Sequence, residues 1–82
     1  MKLTYDPRYN IAYFRLQEKT GQVETVHVSE SLNVDLAPDG TVYGIEILNA
    51  NEQLHGKEKG KLIVENVATG TSAEVDLAKE KY

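Results

Sequence analysis

Apolar residues in this chain alternate with polar residues in short runs that end at turn-forming residues. In the clearest run, 32–36, leucine and valine alternate with asparagine and aspartate. Because successive side chains of a strand point to opposite faces, this period of two predicts a strand with one apolar and one wet face. Pro38 and Gly40 then stand where a tight type I turn requires them. We therefore predict an antiparallel hairpin here.

The same alternation along the chain predicts a mainly β fold, a small antiparallel meander sheet of about six or seven short strands. One short helix or turn is expected after residue 48, because Asn49 is a favourable helix cap and Gly56 follows closely. At the C-terminus, Thr71 and Glu74 match a capping box, which favours a helix, whereas the alternation of Val75 and Leu77 favours a strand. The expected strands are 3–5, 11–16, 23–28, 32–36, 41–48, 62–67 and 73–77.

The 82 residues give room for one hydrophobic core, so we expect a single domain over 1–82. Within it we expect a β region over 1–54, an exposed loop over 55–61 and a C-terminal hairpin or helix over 62–82. The loop assignment rests on the glycine, lysine and glutamate content of 56–61.

The phase of the apolar residues selects the expected core. In the strand 41–48 the phase changes around Gly44, so we predict a bulge or a glycine-specific backbone there. The residues with the strongest alternation are the expected central core: Phe14, Leu16, Val34, Leu36, Ile45 and Ile47.

Composition excludes several classes of function. The chain has no cysteine, which rules out a disulfide framework, a thiolate zinc site and a cysteine nucleophile, and fits a cytoplasmic location. A formal net charge of −4 disfavours binding to a phosphate backbone. The apolar runs are too short for a membrane span. The charge and the short runs together lead us to expect neither a nucleic-acid nor a membrane partner.

Candidate chemistry is sparse. His27 and His55 are the only imidazoles, and neither lies beside a metal-ligand spacing or a nucleophile motif. Asp35 and Glu46 lie on neighbouring arms of one expected hairpin. They could therefore approach each other, as a pair of acid/base carboxylates must. Exposed carboxylates are far more often solvated than catalytic, and we predict no catalytic residue, no metal site and no cofactor.

Several spaced segments of the first 54 residues resemble a prokaryotic family, the domain of unknown function family 2283. These segments are Tyr5-Asp6-Pro7, Ala12-Tyr13-Phe14-Arg15-Leu16, Asn33-Val34-Asp35-Leu36 with Asp39-Gly40, and Val42 to Ala50. Members of that family usually carry acidic residues where this chain has Arg8 and Asn10. A role for an acidic site in this turn is therefore not expected in this chain. The resemblance implies a bacterial or archaeal origin, and some relatives are encoded beside small toxin-like proteins, which implies an antitoxin or partner-binding role.

Our leading hypothesis is therefore a small non-enzymatic interaction module that binds itself or another protein. The candidate interaction face consists of Ile11, Tyr13, Val42 and Leu48, which lie out of phase with the expected core. The alternative is a small hydrolase or ligand-binding enzyme that uses Asp35, Glu46 or His27 at an oligomer interface. A concave pocket around those side chains would favour the enzyme, and a flat apolar patch would favour the interaction module.

Overall fold

Seven strands and one short helix form the regular structure of the computed structural model, which describes residues 1–18, 21–54 and 60–77. In chain order they are β1 (Lys2–Asp6), β2 (Ile11–Arg15), β3 (Glu24–Ser29), β4 (Leu32–Leu36), β5 (Val42–Leu48), α1 (Ala50–Gln53), β6 (Lys61–Asn66) and β7 (Thr71–Asp76). The predicted mainly β, antiparallel fold with one short helix after residue 48 is confirmed. The chain divides into two compact units, Met1–Asn51 and Glu52–Tyr82.

The first unit is a five-stranded antiparallel sheet with the strand order β1-β2-β5-β4-β3. This order departs from a simple meander at one point, because β5 pairs with β2 as well as with β4. β5 is the longest strand, with seven residues, and it carries apolar residues in both phases. Such a strand suits the central position, where neighbours on both sides complete its hydrogen bonds.

The β4–β5 turn has the geometry that its residues predict. Gly40 donates its N–H to the carbonyl of Ala37 (2.9 Å), and Ala37 donates to the carbonyl of Thr41 (2.8 Å). Gly40 has a φ of 88°, which glycine adopts without steric cost. The Asp39 carboxylate accepts from the Thr41 N–H (3.0 Å) and hydroxyl (2.7 Å), and these bonds hold the pKa of Asp39 below its usual value.

A register shift in the β4–β5 ladder confirms the bulge predicted near Gly44. Asp35 lies opposite Gly44, whereas Leu36 lies opposite Val42, so Tyr43 is the extra residue on β5. Gly44 itself does not have a positive φ. Its requirement for glycine has a different cause, the Tyr13 ring described below.

One side of the sheet is apolar, because residues paired across antiparallel strands share a face. In its central row, Leu3 pairs with Phe14, Phe14 with Ile45, Ile45 with Val34 and Val34 with Val26. All these side chains are half-buried except Val26, which is 38% exposed. The apolar face, as we use the term, comprises Leu3, Tyr5, Ala12, Phe14, Val26, Leu32, Val34, Leu36, Val42, Ile45 and Ile47.

The start of the short helix α1 is held beside the β1–β2 turn and Tyr5 of the apolar face. Ala12 (1% exposed) and Ala50 (0%) are the only fully buried apolar residues in the described part of the chain. Asn10, in the β1–β2 turn with a φ of 59°, accepts the N–H of Ala50 on its carbonyl (3.2 Å) and that of Asn51 on its side chain (2.7 Å). The Tyr5 hydroxyl donates to the Asn51 side chain (2.7 Å), which ties the helix to β1.

The second unit contains the hairpin β6–β7, so Thr71–Asp76 is a strand and not a helix. Leu62, Val64, Ala73 and Val75 share its apolar side, and Val64 and Val75 are exposed to 60% and 50%. On the other side Lys61 forms an ion pair with Glu74 (3.4 Å). Residues 55–59 of the expected loop, including His55, and residues 78–82 lie outside the described residues.

Candidate functional site

The side of the sheet opposite the apolar face carries most of the polar side chains that the sequence offers as candidates. One row pairs Tyr13 with Glu46, Glu46 with Asn33 and Asn33 with His27. The neighbouring row pairs Gly44 with Asp35 and Asp35 with Thr25. The polar face, as we use the term, comprises Lys2, Thr4, Asp6, Ile11, Tyr13, Arg15, Thr25, His27, Asn33, Asp35, Gly44, Glu46 and Leu48.

Tyr13 links two strands of the polar face by crossing over Gly44. Its hydroxyl donates to Asp35 on β4 (2.7 Å), and the Thr25 hydroxyl donates to the other oxygen of the same carboxylate (2.6 Å). A Cβ atom at Gly44 would lie 2.6 Å from the Tyr13 ring carbon Cζ, closer than van der Waals contact permits. The absence of a side chain at Gly44 therefore creates the path along which Tyr13 reaches Asp35.

The same arrangement changes the acidity of Tyr13. Burial raises the pKa of Tyr13 well above its ordinary value, and the hydrogen bond and negative charge of Asp35 raise it further. The Tyr43 ring lies beside it, with centroids 6.5 Å apart and planes tilted by 53°. Tyr13 is thus a stable hydrogen-bond donor at neutral pH and a poor general base.

A second chain of hydrogen bonds crosses the strands β3, β4 and β5. The Asn33 amide donates to a Glu46 carboxylate oxygen (2.9 Å), and its own oxygen lies 2.8 Å from Nδ1 of His27. Since the amide oxygen can only accept, this contact requires a proton on Nδ1 of His27, which donates it to Asn33. Asn33 therefore bridges His27 and Glu46 by hydrogen bonds and lies between their side chains.

This geometry brings the sequence-predicted candidates Asp35, Glu46 and His27 to one face, but on a flat sheet surface. In the described ranges no group of three or more histidine or acidic residues could hold a metal ion. A cleft of about 290 Å³ lies at the start of β3 and the end of β4, where residues such as Glu24, Leu36 and Pro38 line it, and none of the three candidates is among its lining residues.

The four residues of the candidate interaction face are divided between the two sides of the sheet. Ile11 and Leu48 form a Cα pair on the polar face, where Tyr13 also lies. Val42 pairs with Leu36 across the bulge and so belongs to the apolar face. The bulge at Tyr43 explains this division, because one extra residue moves Val42 to the opposite side.

The β1–β2 turn is held by its own polar side chains. Arg8 forms an ion pair with Asp6 (3.1 Å), and this contact holds the pKa of the Asp6 carboxyl below its usual value. Asn10 receives the first N–H groups of α1. Arg8 and Asn10 thus both have structural partners in this turn.

Sequence reasoning did not identify Thr25 and Asn33 as members of the site. Each lies on the wet phase of its predicted strand, and that phase is the signal that could have placed them beside Asp35 and Glu46. The crossing of Tyr13 over Gly44 had no local signal, because it depends on the pairing of β2 with β5.

The fold is thus that of a small antiparallel sheet protein with one apolar and one hydrogen-bonded polar face. The model of the family described as "Protein of unknown function (DUF2283)" matches residues 2–51, more than half of the chain, and the chain belongs to this family. The match covers all five strands of the first unit and the start of α1. No curated protein and no solved structure matches the chain. Among the described residues, no helix has the length and apolar character that crossing a bilayer requires.

Proposed function

We propose that this protein is a non-enzymatic interaction module that binds a protein, either a second copy of itself or another chain, through its five-stranded sheet. The observation that carries this proposal is the partly exposed apolar face: no large side chain in the described residues is fully buried. Soluble monomers rarely leave contiguous apolar patches above a few hundred Å² in water. A protein partner is therefore the natural cover for this surface.

The chemistry of the rest of the chain supports a protein as the partner. The net charge of −4 opposes binding to nucleic acid, and the lack of cysteine fits a reducing cytoplasm, where we place the protein. An antitoxin-like protein that covers a partner is one form that such a module takes.

The polar face lends less support to the alternative, a small hydrolase or ligand-binding enzyme. Active sites are usually concave and surround their substrate, whereas Asp35, Glu46 and His27 lie on an open sheet. Their side chains are hydrogen-bonded to Thr25, Tyr13 and Asn33.

The proposal is tested by capture of partners on the tagged full chain in the cells that contain it, together with light scattering on the purified chain. Ile11→Lys on the polar face and Val34→Lys on the apolar face place the same charge on opposite sides of the sheet. We expect a bound protein, or self-association, that one of these substitutions abolishes and the other retains. The proposal would be contradicted if the chain is monomeric at high micromolar concentration and captures no protein whose binding depends on one of these two substitutions.

A further inference from the structure

We infer that the partner of the apolar face is the apolar face of a second copy, so that two chains form a two-layered β-sandwich. This inference rests on the proposed function and names the partner. In sandwiches of this kind the inner faces of two sheets are apolar, the outer faces are polar, and the sheets lie about 10 Å apart. The two sides of the five-stranded sheet have this division of polarity.

The size of the apolar face agrees with that of a modest dimer interface. Five strands spaced by about 4.8 Å span about 24 Å, and strands of five to seven residues span about 17–23 Å. The flat footprint is therefore roughly 400–550 Å², and the relief of the side chains increases the accessible area. Specific interfaces begin at about 600 Å² per partner, so we expect a reversible dimer near the lower limit of stable association.

The charges of the two faces favour a second copy. By strand register, Glu24 at the β3 margin, opposite Leu36, is the one charged side chain on the apolar side among the described residues of the sheet. Glu24 is exposed at this margin, so two such faces can meet while its carboxylate stays in water and no unpaired charge is buried. The polar face carries Asp35, Glu46 and Arg15 and is suited to remain in water.

A second copy matches the width of the face that it covers, because both chains carry the same five strands. A symmetric partner covers all five strands at once, because the same patch is presented by both chains.

The test compares two lysine substitutions at neighbouring positions of the edge strand β3 in the full chain. Val26 lies on the apolar face and is 38% exposed, so the isolated chain tolerates a lysine there. Thr25 lies on the polar face beside Asp35, and a lysine there can pair with that carboxylate. Dimer dissociation is measured by sedimentation equilibrium from low to high micromolar concentration. We expect Val26→Lys to raise the dissociation constant more than about tenfold and Thr25→Lys to change it less than about twofold.

Circular dichroism establishes that each variant is folded. If Val26→Lys does not fold, Val26→Thr replaces it, because threonine has the shape of valine but adds a hydroxyl that an apolar interface must desolvate. A weaker dimer for Val26→Thr than for the wild type is then the expected result.

Two results would overturn the inference. Equal weakening by both lysines would show association through the β3 edge and not through the face. A wild-type chain that is monomeric throughout would exclude the sandwich, and if that monomer still captures another protein through one face, the proposed function survives without it.

Discussion

Tyr13 and Gly44 act as a pair, in which the missing side chain of one makes room for the ring of the other. Gly44 has no positive φ, so the backbone itself would accept alanine, but a Cβ atom would collide with the ring of Tyr13. Moving the ring away would break its hydrogen bond to Asp35. The conflict is therefore between side chains and depends on the identity of residue 13.

We expect Gly44→Ala to destabilise the protein by about 1–3 kcal/mol, the usual cost of overpacking. The same substitution in a Tyr13→Ala background should cost much less, because the colliding ring is absent. Urea denaturation of the four proteins of this double-mutant cycle measures the coupling. Additive effects would show that glycine is needed for the backbone and not for the ring.

Tyr13 also predicts a loss of stability at alkaline pH. Its pKa in the folded state lies above the ordinary value of about 10, so the unfolded chain releases this proton first as the pH rises. The stabilisation is fully present below about pH 10 and declines above it, toward the folded-state pKa. Above about pH 10, Tyr13→Phe should show a shallower decline in the free energy of unfolding than the wild type. Parallel declines would contradict the assignment, since the other tyrosines are common to both proteins.

At the scale of the elements, the β4–β5 hairpin depends on the left-handed conformation of Gly40. No atom lies within 4 Å of a Cβ built on Gly40 or on Gly21, but only Gly40 has a positive φ, of 88°. Gly40→Ala should therefore cost about 1–3 kcal/mol through backbone strain alone. Gly21→Ala is the matched control and should be neutral or slightly stabilising. Thermal denaturation of both variants tests the difference, and equal effects would argue against strain at Gly40.

The hairpins were predictable because their signals are local. Pro38 and Gly40 mark the turn, the alternation in 32–36 marks the strand, and both features lie within a few residues of each other. The same alternation correctly favoured a strand at Thr71–Asp76 over the helix that a capping box offers.

The pairing of β2 with β5 was not predictable in the same way. These strands are separated by β3 and β4 in the sequence, and alternation does not specify which distant strand becomes a neighbour. The position of Tyr13 over Gly44 follows from this long-range pairing. The position of Val42 on the apolar face follows instead from the bulge at Tyr43 within the β4–β5 hairpin. Asp35 and Glu46 were correctly expected on neighbouring strands, since one hairpin contains both.

At the scale of the whole molecule, the stability of this chain should depend on its concentration. A face that is partly exposed in one chain and buried between two couples folding to association, so dimerisation adds to the free energy of unfolding. Phe14, between Leu3 and Ile45 in the central row of the apolar face, reports on this coupling. These neighbours leave its side chain partly exposed, and the second copy is expected to cover the exposed part.

We therefore expect the effect of Phe14→Ala to grow with protein concentration. Where the dimer is populated, the loss should approach about 3–5 kcal/mol, the range for a buried phenylalanine. In dilute solution, where the side chain is half-buried in a single chain, it should fall toward half of that. Val67→Ala is the control, since Val67 is 88% exposed and its truncation should change stability by less than about 0.5 kcal/mol at either concentration. Urea denaturation at low and high micromolar concentration measures both variants. A wild-type midpoint that does not move with concentration, together with one fixed cost for Phe14→Ala, would show that no second copy covers the apolar face.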